Sequence, residues 1–350
     1  MSLNTKIFSL DNFINKALYD PKNGFYMKKN PFGNKGDFIT SPNISILFSE
    51  MLSIWTVAFW RNLKCPKKIN LVELGSGNGQ MIYDMINSFK NFPKFYKSCK
   101  FIILEKSPYL KKIQKKKLKK FKVKWIKNLN EIQNGNNIFI ANEFFDALPI
   151  KQFFKINNKW IERFVKLDKN NNKSFINIDS DIKKIEKKIG FKISNNQKII
   201  EYSPIVLEYL KKISKKINNK KGALLIIDYG YLENSMKDTL MAIKKHRITE
   251  LLKEFGNSDI TYKLNFKLLK KITNILKLKC QGITTQRNFL MNLGIQQRAE
   301  IISRNLPFSK KADIYYRLKR LIDKNQMGDL FKVMLITNKK IDFKTGFWID

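Results

Sequence analysis

The sequence predicts an α/β protein with a parallel sheet and crossover helices, and three observations carry that prediction. From Pro66 onward, short apolar stretches alternate with longer amphipathic ones. The first apolar stretch runs into a loop with glycine at every second position, Gly75-Ser76-Gly77-Asn78-Gly79, and a helix follows. Acidic residues stand where apolar strands end, as at Glu105, Glu143 and Asp228, and the carboxyl ends of parallel strands are where such sheets bind ligands.

Taken in order, the strands are INLVEL (69–74), FIILE (101–105), FKVKWI (121–126), NNIFIAN (136–142) and GALLIIDYG (222–230), with two closing strands near KCQGITT and LFKVMLIT. Helices follow the first two strands, the second of them lysine-rich, with Leu110, Ile113, Gln114, Lys117 and Leu118 at helical spacing. SPIVLEYLKKISKKI is a further helix. Residues 1–64 read as an N-terminal helical region covering the active site, in which FSLDNFINKALY and SPNISILFSEMLSIWTVAFW are joined by a Gly/Pro/Asn-rich linker from Pro21 to Ser41. Residues 65–350 form the sheet domain, with insertions at about 151–200 and 231–262, after strands four and five. In the first insertion QFFKINNKWIERFVKL predicts a hairpin turning at Asn157-Asn158. Near the second, DTLMAIKKH reads as helical.

With 350 residues and 43% hydrophobic content the chain can bury a large core. Its net charge of +39 invites a nucleic-acid partner, but lysine supplies nearly all of it and arginine is scarce. That balance reads as a solvated coat rather than a groove. Cys65, Cys99 and Cys280 lie far apart, and His246 is the only histidine, so neither a disulfide framework nor a metal site is expected. A reducing compartment follows. The first 20 residues lack a continuous apolar core and carry Asp11 and Asp20, and the run MLSIWTVAFW is too short for a membrane span. The expected location is the cytoplasm.

The glycine loop discriminates between two nucleotide readings. A dinucleotide fingerprint, GxGxxG, requires glycine where Gln80 stands. The pattern starting at Glu73 is instead E-x-G-x-G-x-G, which resembles the first motif of class I methyltransferases using S-adenosyl-L-methionine (SAM). Glu73 suits the ammonium of that cofactor's methionine half, while Gly75, Gly77 and Gly79 let the backbone approach it. Glu105, ending the second strand, suits both ribose hydroxyls of a bound nucleoside.

The end of the fourth strand, ANEFFDALP, places Asn142, Glu143 and Asp146 among phenylalanines, where an unpaired carboxylate is costly. In a sheet of this order that end faces the methyl donor, so the three are candidate catalytic residues. The Asn-Pro-Pro-aromatic tetrad of amino-methylating nucleic-acid enzymes lacks both prolines here, which disfavours a nucleic-acid substrate. Two carboxylates match a planar guanidinium. Asp146 equally reads as the N-cap of a short turn ahead of Pro149.

Several segments together resemble the MidA family of SAM-dependent methyltransferases: YDPKNGFYM, GDFITSPNISILFSEMLSIW, LVELGSGNGQ, IANEFFDALPIKQF, LIIDYGY, NSDITYKLNF and MGDLFKVM. The resemblance implies a Rossmann-like class I fold and methylation of a protein arginine. For the mitochondrial members it implies the 49-kDa-type subunit of NADH dehydrogenase (respiratory complex I) as partner. It implies that Gly36, Asp37, Thr40, Ser41 and Pro42 close over the site and bind substrate, and that Asp228 and Tyr229 line the pocket. The chain departs from the family's GPGRG at Asn78 and from its Pro-Glu-Ile at Asn43, positions whose Arg and Glu suit either an ion pair or substrate contact. The sequence leaves two alternatives open: an RNA methyltransferase, and an assembly factor that binds SAM without catalysis.

Overall fold

The computed structural model describes residues 5–33, 36–37 and 39–348. Phe38, inside the GDFITSP motif, and residues 1–4 of the N-terminal region lie outside them. We number the strands of the main sheet in chain order: β1 Ile69–Leu74, β2 Cys99–Leu104, β3 Val123–Ile126, β4 Asn136–Asn142, β5 Gly222–Tyr231, β6 Lys279–Thr285 and β7 Phe331–Thr337. Their spatial order is β3-β2-β1-β4-β5-β7-β6, and the short strand Leu264–Asn265 adds to the end of β5. The first five are mutually parallel, while β7 runs antiparallel to both β5 and β6. This is the class I methyltransferase arrangement that the sequence predicts. With β4 between β1 and β5, the carboxyl ends of all three open on one crevice.

Alternation along the strands sends side chains into two cores. Val72, Phe139 and Leu224 pack on one face with the helices Leu10–Tyr19, Pro204–Asn219 and Phe266–Ile275. Leu71, Ile138 and Leu225 pack on the other with Ile46–Asn62 and Gln80–Phe89. The two long N-terminal helices therefore lie on opposite faces of the sheet. The chain between them has to cross the carboxyl edge, and this crossing covers the crevice.

The N-terminal 64 residues are not helical throughout. Lys6–Ser9 is a strand pairing antiparallel with Ser9↔Phe164 to Lys6↔Leu167, so this segment is tied to the first insertion. The expected second helix is two, Ser41–Ile44 and Ile46–Asn62, because Ser45 is extended (φ −152°, ψ 138°) and its Oγ accepts the Leu47 N–H. The first insertion contains the hairpin Lys151–Ile156/Lys159–Leu167, whose turn residues Asn157 and Asn158 are both left-handed, as a two-residue connection demands. The second holds a three-stranded sheet of Met241–Lys244, Arg247–Thr249 and Asp259–Thr261. His246 is therefore in a hairpin turn rather than on a helix. The apolar run Leu240–Ile243 is too short for periodicity to separate strand from helix, and left-handed Lys245 and His246 decide for the strand.

Candidate functional site

Two adjoining cavities open at the carboxyl ends of β1, β2 and β4. The larger, about 590 Å³, is lined by Tyr19, Tyr26, Gly75, Glu105, Lys106 and Tyr209 among others. The smaller, about 370 Å³, takes in Thr40, Pro42, Asn43, Glu73, Asn78 and Asn142. Phe32, Gly75, Gly77 and Glu143 line both. The crossing segment is their roof, and the glycine loop and β4 are their floor.

The loop's backbone explains its glycines. Gly75 and Gly77 have φ of +67° and +52°, a region that side chains disfavour. A Cβ on Gly75 would sit 2.7 Å from the Phe144 ring, and one on Gly77 would press on Phe32 at 3.2 Å. Gly79, also left-handed, begins the helix Gln80–Phe89. The adjacent Asn78 donates from Nδ2 to Asn43 Oδ1 at 2.8 Å. The two positions that depart from the family's Arg and Glu therefore touch each other, and a neutral amide pair bridges the loop to the roof.

Glu73 and Glu105 anchor opposite ends. Glu73 is buried, accepts the Ser76 hydroxyl at 2.5 Å, and has its pKa pushed up to about 8 by lost hydration. Glu105 accepts the Ser107 N–H through Oε1 and the Gln114 amide through Oε2, both at 2.8 Å, and burial raises its pKa too. Gln114, which sequence reading assigned only to an apolar stripe, supports the site from behind without lining either cavity. It is fully buried and also donates to the Gly77 carbonyl while accepting from Trp125 Nε1. The signal was there: a glutamine on the inner face of a lysine-rich helix has no other reason to be buried.

At the end of β4, Glu143 has φ +51° and is partly open to the cavities. Its Oε1 accepts the Ser41 N–H at 3.2 Å and the Asn142 amide at 3.1 Å. Lost hydration, reinforced by the Asp146 charge, raises its pKa to about 8. Asn142 Oδ1 is buried with no hydrogen-bond partner among the described residues, beside the smaller cavity. An acceptor left in that condition fits an incoming ammonium or guanidinium N–H.

Asp146 is turned elsewhere. It accepts from Thr261 Oγ1 at 3.2 Å and hydrogen-bonds with Asp228, and it lines neither cavity. Burial holds its pKa near 6. Asp228, expected to line the pocket, is fully buried and accepts the N–H groups of Phe144, Phe145 and Tyr229. Tyr229 packs on Phe331 and under Lys263, away from both cavities. Of the roof residues expected at the site, Thr40 and Pro42 line the smaller cavity and Ser41 reaches Glu143. Gly36 and Asp37 are instead parts of the roof's own fold: the Gly36 N–H bonds the Gly33 carbonyl, and Asp37 pairs with Lys29 at 2.6 Å and accepts the Lys245 N–H. Asp259, which sequence reading did not single out, accepts the Tyr26 hydroxyl at 2.7 Å, and burial lifts its pKa to about 7.

The residues present fit SAM. Gly75 and Gly77 border both cavities, Glu105 keeps lone pairs for a ribose, and the Asn142 oxygen lacks a donor among the described residues. A family model described as a putative S-adenosyl-L-methionine-dependent methyltransferase matches residues 51–284. The chain is 29% identical to the mitochondrial protein arginine methyltransferase NDUFAF7 of Xenopus laevis, over 93% of its own length and 79% of that protein's. To the mitochondrial Homo sapiens protein of that name it is 27% identical, over 91% and 77%. Its fold matches the crystal structure of a superfamily protein from Burkholderia thailandensis bound to S-adenosyl-homocysteine, with TM-score 0.82, 20% identity, and coverage of 97% of this chain and 90% of that one. The relatives' mitochondrial names correct the cytoplasmic location expected above. The cysteine pattern on which that expectation rested does not single out the cytoplasm.

Proposed function

Because the chain belongs to the MidA-like family of SAM-dependent methyltransferases, whose model spans residues 51–284, we propose that it methylates an arginine of a protein substrate. We take that substrate to be linked to assembly of respiratory complex I, with the 49-kDa-type subunit as first candidate. The observation that carries this reading is Glu143, a carboxylate standing on the boundary of the two cavities without a cationic partner among the described residues. Its relatives' name, protein arginine methyltransferase, supports the same substrate class.

The bound cofactor supplies an electrophilic methyl group on sulfur. Everything else is done by the chain's residues. Glu105, its two oxygens already oriented by Ser107 and Gln114, receives the ribose hydroxyls, and Glu73 faces the ammonium directly or through water. Tyr26, Phe32, Thr40 and Pro42 cover the crevice and exclude water. Glu143, fixed by Ser41 and Asn142, takes two guanidinium N–H groups and draws the positive charge toward them, leaving the third nitrogen electron-rich for in-line attack. The same carboxylate is basic enough to accept the proton that the methylated nitrogen releases.

The test is transfer from radiolabelled SAM in the presence of the candidate subunit and of RNA. Label on one arginine, lost by more than about 100-fold in Glu143→Gln while S-adenosyl-homocysteine still binds, is the expected result. Label in RNA, or normal partner binding with no label anywhere, would sink it.

A further inference from the structure

The turn after β4 has a construction that its sequence does not announce. Glu143 is left-handed, yet its N–H still donates to the Ile227 carbonyl at 2.9 Å, so the strand's ladder continues through a residue whose backbone has already reversed. The next two N–H groups, of Phe144 and Phe145, both converge on Asp228 Oδ2, at 3.3 and 2.9 Å, and the Tyr229 N–H takes Oδ1 at 3.0 Å. Asp228 thus ties the end of β5 to the turn leaving β4. Asp146 closes the other side, where the turn is completed by the Leu148 N–H to the Phe145 carbonyl at 3.2 Å. Its carboxyl bonds Asp228 and accepts Thr261 Oγ1.

Two carboxylates in contact, one of them fully buried, do not readily both ionise, and one shared proton turns their repulsion into a hydrogen bond. The other titratable groups facing the pair are Glu143 and Asp259 as acids, and Tyr19, Tyr26 and Tyr262 as phenols. None of these is a cation; Lys332 stands opposite Asp228 on β7, but its ammonium donates to the Asp329 carbonyl.

We propose that Asp146 and Asp228 are positioning residues, a proton-sharing carboxyl pair that clamps the turn 143–148 from behind and holds Glu143 in the left-handed geometry that turns its carboxylate to the cavities. The clamp makes activity depend on a proton held outside both cavities. When the pair loses its proton the two anions separate, the turn loosens and Glu143 drifts from its aim.

The inference rests on the reading of Glu143 as the partner of a cation, and its test separates the two. Hydrogen exchange over residues 143–148 needs no substrate. Asp228→Ala, which leaves the Phe144 and Phe145 N–H groups without an acceptor, is expected to accelerate their exchange at least tenfold. Asp228→Asn keeps the acceptor and donates its amide to Asp146, so it stays within about threefold of wild type. In turnover, Asp146→Asn carries a permanent donor to Asp228. Wild type is expected to lose kcat on the alkaline side as the pair gives up its proton, and Asp146→Asn to keep it, with the KM for SAM unchanged. Unchanged exchange in Asp228→Ala, or an alkaline limb in Asp146→Asn identical to wild type, overturns the clamp. Full activity of Glu143→Gln together with the expected exchange pattern would overturn the arginine reading while still supporting the clamp.

Discussion

Glu73, Glu143 and Asp259 hold their protons up to about 8, 8 and 7 respectively, in each case first through lost hydration. An acid whose pKa rises on folding binds more protons folded than unfolded between its two pKa values. Its stabilising contribution is therefore full below the unfolded value, near 4.5 for the two glutamates, and is lost as pH climbs through about 8. The unliganded protein is expected to grow less resistant to urea between pH 5 and 8, and Glu143→Gln to flatten that slope. A guanidinium ligand shows the same linkage from the other side: its affinity is expected to rise with pH up to about 8 in wild type and to be pH-independent in Glu143→Gln, which titration calorimetry can follow. Gln114 is the other residue on which much depends. Gln114→Ala strands the Trp125 N–H and unties Glu105 from the glycine loop, so a loss of about 2–3 kcal/mol in stability and at least tenfold weaker S-adenosyl-homocysteine binding are expected. Glu143 and Glu105 were legible in the sequence because charges ending apolar strands demand partners. Gln114 showed only as a polar residue on an inward face, and its partners and those that Asp228 takes from the turn after β4 were not legible, since they lie 9 to 84 residues away in sequence.

At the scale of elements, the roof depends on where two helices begin and end. Ser45 breaks the chain between Ser41–Ile44 and Ile46–Asn62 and caps the latter. Ser45→Ala should cost about 1 kcal/mol by chemical denaturation, and because the Ser41 N–H reaches Glu143 from the preceding turn, it should also lower kcat. Strand and hairpin signals read well where the chemistry was local: Asn157-Asn158 adopts the left-handed pair its turn requires. They failed at residues 238–246, where a four-residue apolar run carries no period and the strand is held by the left-handed turn at Lys245-His246 and by pairing with Asp259–Thr261. The strand Lys6–Ser9 failed for the same reason. Its partner lies more than 150 residues away, and an edge pairing of that range leaves no local mark.

Across the whole molecule the charge of +39 surrounds a site lined by acidic groups, Glu73, Glu105 and Glu143. A solvated lysine coat binds polyanions without sequence preference and releases them steeply with salt. RNA retention is expected to vanish between about 50 and 200 mM salt in a filter assay, while methyl transfer to protein persists. Among the described residues no helix is long and apolar enough to cross a membrane. The sequence by itself determined the alternation of strands and helices, the glycine loop with its acidic neighbours and the family, because each is written in periods and spacings within a few tens of residues. Only the tertiary structure decided which carboxylates face the crevice. It sent the two N-terminal helices to opposite faces of the sheet, drawing the segment between them over the site, and it set Asp228 behind the turn after β4, so that of the two carboxylates in ANEFFDALP only Glu143 is presented and Asp146 is bound from behind. Which way a side chain points depends on what packs behind it, and that neighbour comes from a distant part of the chain.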